Sequence, residues 1–313
     1  LLPNANLYAI GSRSIKRARE FAGQFQIPYA YRSYKALVED TNVDIIYIAS
    51  HHSSHYPDTM LCLNHGKHVL CEKPVAINGS QLDKMITLAS SNKLFFMEAL
   101  WTRFLPSFIK CKSMVDQGVI GELRIIESDF CFNIPFNPEN RWYNPLLGGG
   151  SLLDIGIYPV FCAMEIGSNI TNIKASAQLN EQGVDTFCSI LFSHAGNEHS
   201  VLFSAINAAG RMETLIHGSC GMLRLNRPWH TSSTSLDLIK SNGSTKHFSF
   251  EKSGNGYHHE AAEVMRCLDE GHIESNLWPL EKSRKLITLL DTVRKQTGII
   301  YPASIESNEN IIK

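Results

Sequence analysis

Gly148 to Tyr158 reads Gly-Gly-Gly-Ser-Leu-Leu-Asp-Ile-Gly-Ile-Tyr, and its spacing brings an acid and a phenol together. Ser151 is a candidate N-cap for a helix that starts after the glycines. On that helix Asp154 and Tyr158 stand four residues apart and share one face. Beside glycines that let a planar ligand approach closely, such a pair is suited to proton transfer. It is equally the pattern of a buried helix whose Tyr hydroxyl is held by a neighbouring Asp, because buried polar groups have partners. A second stretch, His68 to Pro74 (HVLCEKP), adds a cation. Val69 to Cys71 are apolar and strand-like, so Glu72 and Lys73 would sit at a strand's carboxyl end, where an open α/β sheet has its ligand crevice. A lysine there can lower the pKa of a nearby phenol and make the tyrosinate accessible. Pro74 fixes its own φ and pushes Lys73 towards extended geometry.

Positioning these groups takes a layered scaffold, and the first hundred residues read as one. Leu7 to Ile10 is a strand, and Ser14 caps a helix over Ile15–Phe25. A short helix over Ser33–Glu39 precedes a buried parallel strand, Val43 to Ala49. Ser50-His51-His52-Ser53-Ser54-His55 follows at its end, and the next helix closes at Gly66. Lys67–Cys71 is a strand, Asn78 caps a helix to Ser91, and Leu94–Glu98 is another strand. A helix over Ser107–Gln117 opens the second half. There Leu123–Phe132, Ile173–Leu179, Thr186–Ser193, Ser200–Ala208, Met212–His217, Met222–Leu225, Leu236–Lys240 and His247–Phe250 alternate as strands of a largely antiparallel sheet. Helices over Tyr257–Glu270 and Pro279–Thr297 close the chain, and a frayed tail is expected from Ser304.

Composition narrows the classes. The chain has 313 residues, 43% apolar and 19% charged, enough for one or two domains with sizeable cores. A formal net charge of −1 leaves no electrostatic footprint for nucleic acid or an anionic membrane. No run of about 18 apolar residues is evident for a bilayer span. The eight cysteines form no CxxC pair and no metal spacing. The three histidines of the 51–55 turn have no carboxylate neighbour in sequence, so no metal is expected. A soluble, cytoplasmic protein in a reducing compartment follows as the expectation.

The segments Ala9–Ala22, His51–Pro74, Met97–Pro106, Gly148–Pro159 and Pro279–Gly298, in that order, resemble the glucose–fructose oxidoreductase / inositol dehydrogenase family. The likeness is nearest to its dimeric dihydrodiol dehydrogenase branch. The resemblance implies an α/β fold with two parts. One is a dinucleotide-binding Rossmann domain over 1–104, and the other is an α+β domain with a large open-faced sheet over 105–313. It makes Leu7–Ile10 the second strand of the Rossmann unit, so the domain is expected to lack its first strand and GxGxxG turn. It implies NADP as cofactor, with a secondary alcohol of a vicinal diol (a trans-dihydrodiol) or of an aldose sugar such as D-xylose as substrate. Tyr158 becomes the base, Lys73 its activator, and Asp154 the group that orients Lys73 or the substrate. Ser12 and Arg13 replace the usual acid after the strand and would hold a 2′-phosphate; alone they are a helix cap and a solvated Arg. Ser50, His51, His55, Glu72, Lys73, Pro74, Arg103 and Trp142 fall at cofactor positions, and Trp101 falls at a substrate position beside Tyr158. Trp101, Arg103 and Trp142 can equally be packing residues and a surface Arg. The open sheet face implies a homodimer. A non-catalytic nucleotide-sensing or dimerisation module of the same fold is the second reading, drawn from the absent glycine turn.

Overall fold

The computed structural model describes residues 2–231, 233–252 and 254–307. Alternation of strand and helix opens the chain, as the apolar periodicity requires: β1 (Ala9–Gly11), α1 (Ile15–Phe25), β2 (Tyr29–Tyr31), α2 (Tyr34–Val38), β3 (Ile45–Ile48), α3 (His52–Asn64), β4 (His68–Glu72), α4 (Gly79–Ser91) and β5 (Phe96–Ala99). Side chains of Ser14, Ser33 and Asn78 cap α1, α2 and α4 by accepting from the backbone three residues on, which satisfies donors that a helix start leaves orphaned. All five strands pair in parallel, β1 with β2, β3 with β4, and β4 with β5. They lie in two separate sheets, and among the described residues no strand joins β1 to β3. α3 packs on β4 and the later helix Leu280–Thr297 on β5, and Val69, Leu70, Cys71 and the whole of Phe96–Ala99 are buried.

A short 3₁₀ turn, Trp101–Phe104, leads to α5 (Pro106–Asp116) and then β6 (Leu123–Cys131). After a loop come a π-helical turn, Leu152–Gly156, and α6 (Ile157–Ile166). Seven strands follow: β7 (Ile170–Leu179), β8 (Asp185–His194), β9 (His199–Ala205), β10 (Thr214–Gly218), β11 (Gly221–Leu225), β12 (Ser235–Lys240) and β13 (Thr245–Ser249). They join β6 in one eight-stranded sheet, ordered β13-β12-β11-β10-β6-β9-β8-β7. Every pairing is antiparallel except β6 with β9. α7 (Tyr257–Asp269), α8 (Leu280–Thr297) and a short α9 (Ala303–Glu306) end the described chain.

Period-two alternation decides which face of the large sheet is buried. In β8, which lies between β9 under α6 and β7 under α8, Cys188, Ile190 and Phe192 are buried, while Leu191 faces out directly opposite Val201 of β9. Ile125, Leu191 and Val201 are exposed on that outer face.

Three expectations need correcting. Pro145–Ile166 is apolar and long enough to cross a membrane by composition, but 89% of its 18-residue apolar stretch is buried inside the protein, so it is a core segment. Ser151 does not cap its helix; its backbone is already helical (φ −71°, ψ −38°) and its side chain makes no capping bond. Part of the tail expected to fray forms α9, because Ile305 is buried and Arg294 pairs with Glu306; residues 308–313 lie outside the described residues.

Candidate active site

Three strand ends and one helix meet at a cavity of about 350 Å³. Ser50 follows β3, Glu72 and Lys73 stand at the end of β4, and Trp101 follows β5. Parallel pairing brings these ends to one edge, because it aligns the carboxyl termini of neighbouring strands. Asp154 and Tyr158 enter from the π-turn and α6. The turn is anchored from β8: Asp185 accepts from Leu152 N–H at 2.6 Å and from Ser151 Oγ at 2.8 Å. Gly150 makes room for this anchor, since its φ is +125° and a Cβ there would collide with the Asp185 carboxylate. Burial pushes the Asp185 carboxyl up to about 7. Single π turns inside helices recur at functional sites, and this one sets both polar side chains towards the cavity.

Lys73 and Asp154 form the charged centre. Lys73 Nζ donates to the Asp154 backbone carbonyl and, at 3.1 Å, to its Oδ1. His52 Nε2 lies 3.5 Å from Oδ1, and Arg141 Nη2 lies 3.2 Å from Oδ2. Burial alone would push the Asp154 carboxyl up, but Lys73, His52 and Arg141 outweigh it and hold the carboxyl well below its usual range. Asp154 therefore orients Lys73.

Tyr158 is buried, and its hydroxyl accepts a 2.8 Å hydrogen bond from Trp101 Nε1. Lys73 Nζ stands 5.0 Å from the phenol ring centre. Burial pushes the phenol well above its ordinary pKa, the Glu72 and Asp154 charges push it further, and the Trp101 N–H opposes the rise. The expected lowering by Lys73 is therefore corrected: the ammonium is engaged by Asp154, and desolvation outweighs what remains of its field. Trp101 itself stacks on Tyr257 of α7 (4.1 Å, 8°), so its indole is fixed.

The other expected residues fall into two groups. Ser50, His55, Glu72 and Trp142 line the cavity, and His51 and Ser50 line an adjoining recess of about 230 Å³. Ser50 Oγ donates to Asp58 at 2.7 Å. Glu72 accepts from Tyr47 Oη and from Lys73 N–H. His55 is wholly buried, its Nδ1 2.7 Å from the Pro74 carbonyl and its Nε2 3.1 Å from the Ser50 carbonyl. A neutral imidazole can donate to only one of them, and the shorter contact marks the Nδ1 proton; burial lowers the pKa to about 3, so the ring stays neutral. His55 thus braces the two strand ends that carry Ser50 and Lys73. Pro74, Ser12, Arg13 and Arg103 line neither space. Arg103 faces Glu165 at 3.5 Å instead. Arg13 is exposed and makes no ion pair among the described residues, yet its charge reaches His51 and Asp58.

His52, Phe130, Phe132, His230, Thr231 and Tyr257 also line the cavity and carried no sequence signal of their own, apart from His52 beside His51. A nicotinamide nucleotide fits this cleft. The recess adjoins the cavity at the end of β3, and in the cavity Trp142 Nε1 is buried without an acceptor, the kind of donor that a ligand carbonyl would satisfy. Arg141 lies over the Trp142 ring at 4.4 Å.

Residues 2–100 match the oxidoreductase family with an NAD-binding Rossmann fold, and residues 108–224 match the GFO/IDH/MocA C-terminal domain. Trans-1,2-dihydrobenzene-1,2-diol dehydrogenase of Mus musculus is 36% identical over 304 residues, covering 94% of this chain and 89% of that protein. The Homo sapiens protein of that name is also 36% identical, over 305 residues, with the same coverage of 94% and 89%. Among solved structures, KijD10, a 3-ketoreductase from Actinomadura kijaniata in complex with NADP and TDP-benzene, is similar with a TM-score of 0.86. It is 25% identical to this chain, over 95% of this chain and 91% of its own. Strand ends from the first matched region and a helix from the second build one cleft, and with both regions matched in order the chain belongs to the GFO/IDH/MocA family of NAD(P)-dependent oxidoreductases.

Proposed function

We propose that this chain is an NADP-dependent dehydrogenase acting on a secondary alcohol of a vicinal diol, such as a trans-dihydrodiol, or of an aldose sugar such as D-xylose. One observation carries the reading: the Tyr158 hydroxyl, held by Trp101, stands beside a Lys73 clamped by Asp154 inside the cavity. The relatives named dihydrodiol dehydrogenases and the ketoreductase crystallised with NADP support the substrate class and the cofactor.

Bound nicotinamide supplies the hydride acceptor or donor. Tyr158 Oη moves the proton, taking it from the substrate hydroxyl in oxidation and returning it to the carbonyl oxygen in reduction. Because burial favours the neutral phenol, Tyr158 at neutral pH is a ready donor to a carbonyl. Oxidation draws on the small phenolate fraction. Lys73 has three N–H groups; Asp154 takes two through its carbonyl and its carboxylate, and the third is left for the substrate oxygen. There it stabilises the negative charge that develops on that oxygen. Ser50, His51 and Trp142 would hold the nucleotide along the strand ends, with Ser12 and Arg13 reaching its 2′-phosphate.

Titration of nicotinamide fluorescence tests the cofactor assignment. NADPH should bind more tightly than NADH, and Arg13→Ala should bring the two affinities together by losing about 10–10² in NADPH affinity, the equivalent of a charge-assisted hydrogen bond. Equal affinities in the unaltered chain would sink the assignment. The second reading, a nucleotide-sensing or dimerisation module without turnover, draws on the separation of the parallel strands into two sheets. It requires nucleotide binding that no diol or aldose converts into turnover.

A further inference from the structure

Between β11 and β12 the chain crosses the cavity wall as Asn226-Arg227-Pro228-Trp229-His230-Thr231. This segment is firmly tied. Trp229 Nε1 donates to the Asp129 carbonyl at 3.2 Å, Trp229 N–H to the Met212 carbonyl, and Thr102 Oγ1 to the His230 carbonyl at 2.6 Å. The last bond links the segment to the 3₁₀ turn that also carries Trp101. His230 is consequently fixed at the cavity, 1% exposed, with its ring centre 5.3 Å from that of Tyr158 and 3.3 Å from that of Phe130.

Its polar atoms are what set it apart. Among the described residues neither ring nitrogen has a hydrogen-bond partner, and Nδ1 is buried outright. Leaving a buried polar group unpaired costs about 1–3 kcal/mol, and a fixed loop has no evident reason to hold an imidazole there when an apolar ring would pack as well. Burial and the nearby Lys73 charge hold the ring neutral, so it can accept a hydrogen bond on one nitrogen and donate on the other. A substrate bound with its reacting oxygen between Tyr158 and Lys73 brings its neighbouring carbon towards this wall.

We infer that His230 binds the second hydroxyl of the substrate, the one on the carbon next to the reacting carbon, and so selects vicinal diols and sugars over simple secondary alcohols. The inference rests on the dehydrogenase reading above and adds the group that recognises the diol. His230 is a binding residue and takes no part in moving the proton.

The test compares trans-1,2-cyclohexanediol with cyclohexanol as substrates for the unaltered chain, His230→Phe and His230→Asn, all with NADP. The unaltered chain should favour the diol. His230→Phe should lower kcat/KM for the diol by about 10–10²-fold more than for the mono-alcohol, chiefly through KM, so the preference collapses. His230→Asn keeps a donor and an acceptor on a shorter side chain and should retain part of the preference; it serves also if the Phe variant fails to fold. In nitrogen NMR of the unaltered protein, the diol should move the His230 ring resonances and the mono-alcohol should not. Equal losses for both substrates, or ring resonances that the diol leaves unmoved, would overturn the inference while leaving the dehydrogenase reading intact. An unaltered chain that turns over neither alcohol overturns both.

Discussion

Tyr158→Phe should lower diol oxidation by about 10²–10⁴-fold, the usual range for losing a positioned acid–base group, with NADPH affinity nearly unchanged. The hydroxyl bonds Trp101 rather than lying along the nucleotide recess, so its loss removes the proton carrier and little else. The phenylalanine ring would keep the packing against Phe130 and His230. The substitution does strand the Trp101 N–H, at a cost of about 1–3 kcal/mol in stability, visible as a modestly lower melting temperature. Single-turnover kinetics alongside fluorescence titration separate the two effects. Retained turnover in a folded Tyr158→Phe protein would remove Tyr158 from the proton-transfer role.

Lys73→Met should lower turnover almost as far. It deletes the N–H that Lys73 keeps for the substrate oxygen, and removal of such a donor lowers turnover by about 10²–10³-fold. It also strips a partner from a carboxylate that is 4% exposed. Breaking a buried pair costs about 3–5 kcal/mol; Arg141 and His52 remain at Asp154, which places this case at or below the lower end. The sign with pH follows from Asp154. Its folded-state carboxyl is held well below the usual range, so its ionisation contributes stability that is present above the unfolded pKa of about 4 and is lost as pH falls through the folded value. Without Lys73 that contribution shrinks. The stability gap between the two proteins should therefore be widest near neutrality and narrow as pH falls below about 4. Thermal melts across that range check it, and a gap independent of pH would show that Lys73 does not stabilise the Asp154 carboxylate.

Local chemistry made the scaffold and the centre of the site readable. Ser14, Ser33 and Asn78 cap where their side chains dictate, and the Glu72-Lys73 pair lands at the end of β4 because apolar residues before it demand a buried strand. Asp154 and Tyr158 share the cavity as their spacing implies. What depended on tertiary placement was not readable. His230 and Tyr257 reach the cavity from segments far along the chain, through sheet topology that no local pattern encodes. Arg103 has the same sequence signature whether it meets a ligand or Glu165, and the packing of α6 chose Glu165. The helix cap shifted from Ser151 to Asp185 because β8 supplies a carboxylate from outside the local stretch. The direction of the Tyr158 shift is a related case: sequence shows the neighbouring lysine but not how deeply the phenol is buried.

The pH dependence of both reaction directions, measured on one preparation with NADP and trans-1,2-cyclohexanediol and with NADPH and 2-hydroxycyclohexanone, tests Tyr158 as the proton carrier. With the Tyr158 pKa held well above 10 by burial, kcat/KM for oxidation should climb about tenfold per pH unit through the alkaline range without a plateau below pH 10. Reduction should stay flat from neutrality to that point. An oxidation plateau near neutral pH would assign the proton to a different group, and an absence of turnover in both directions would contradict the dehydrogenase reading itself.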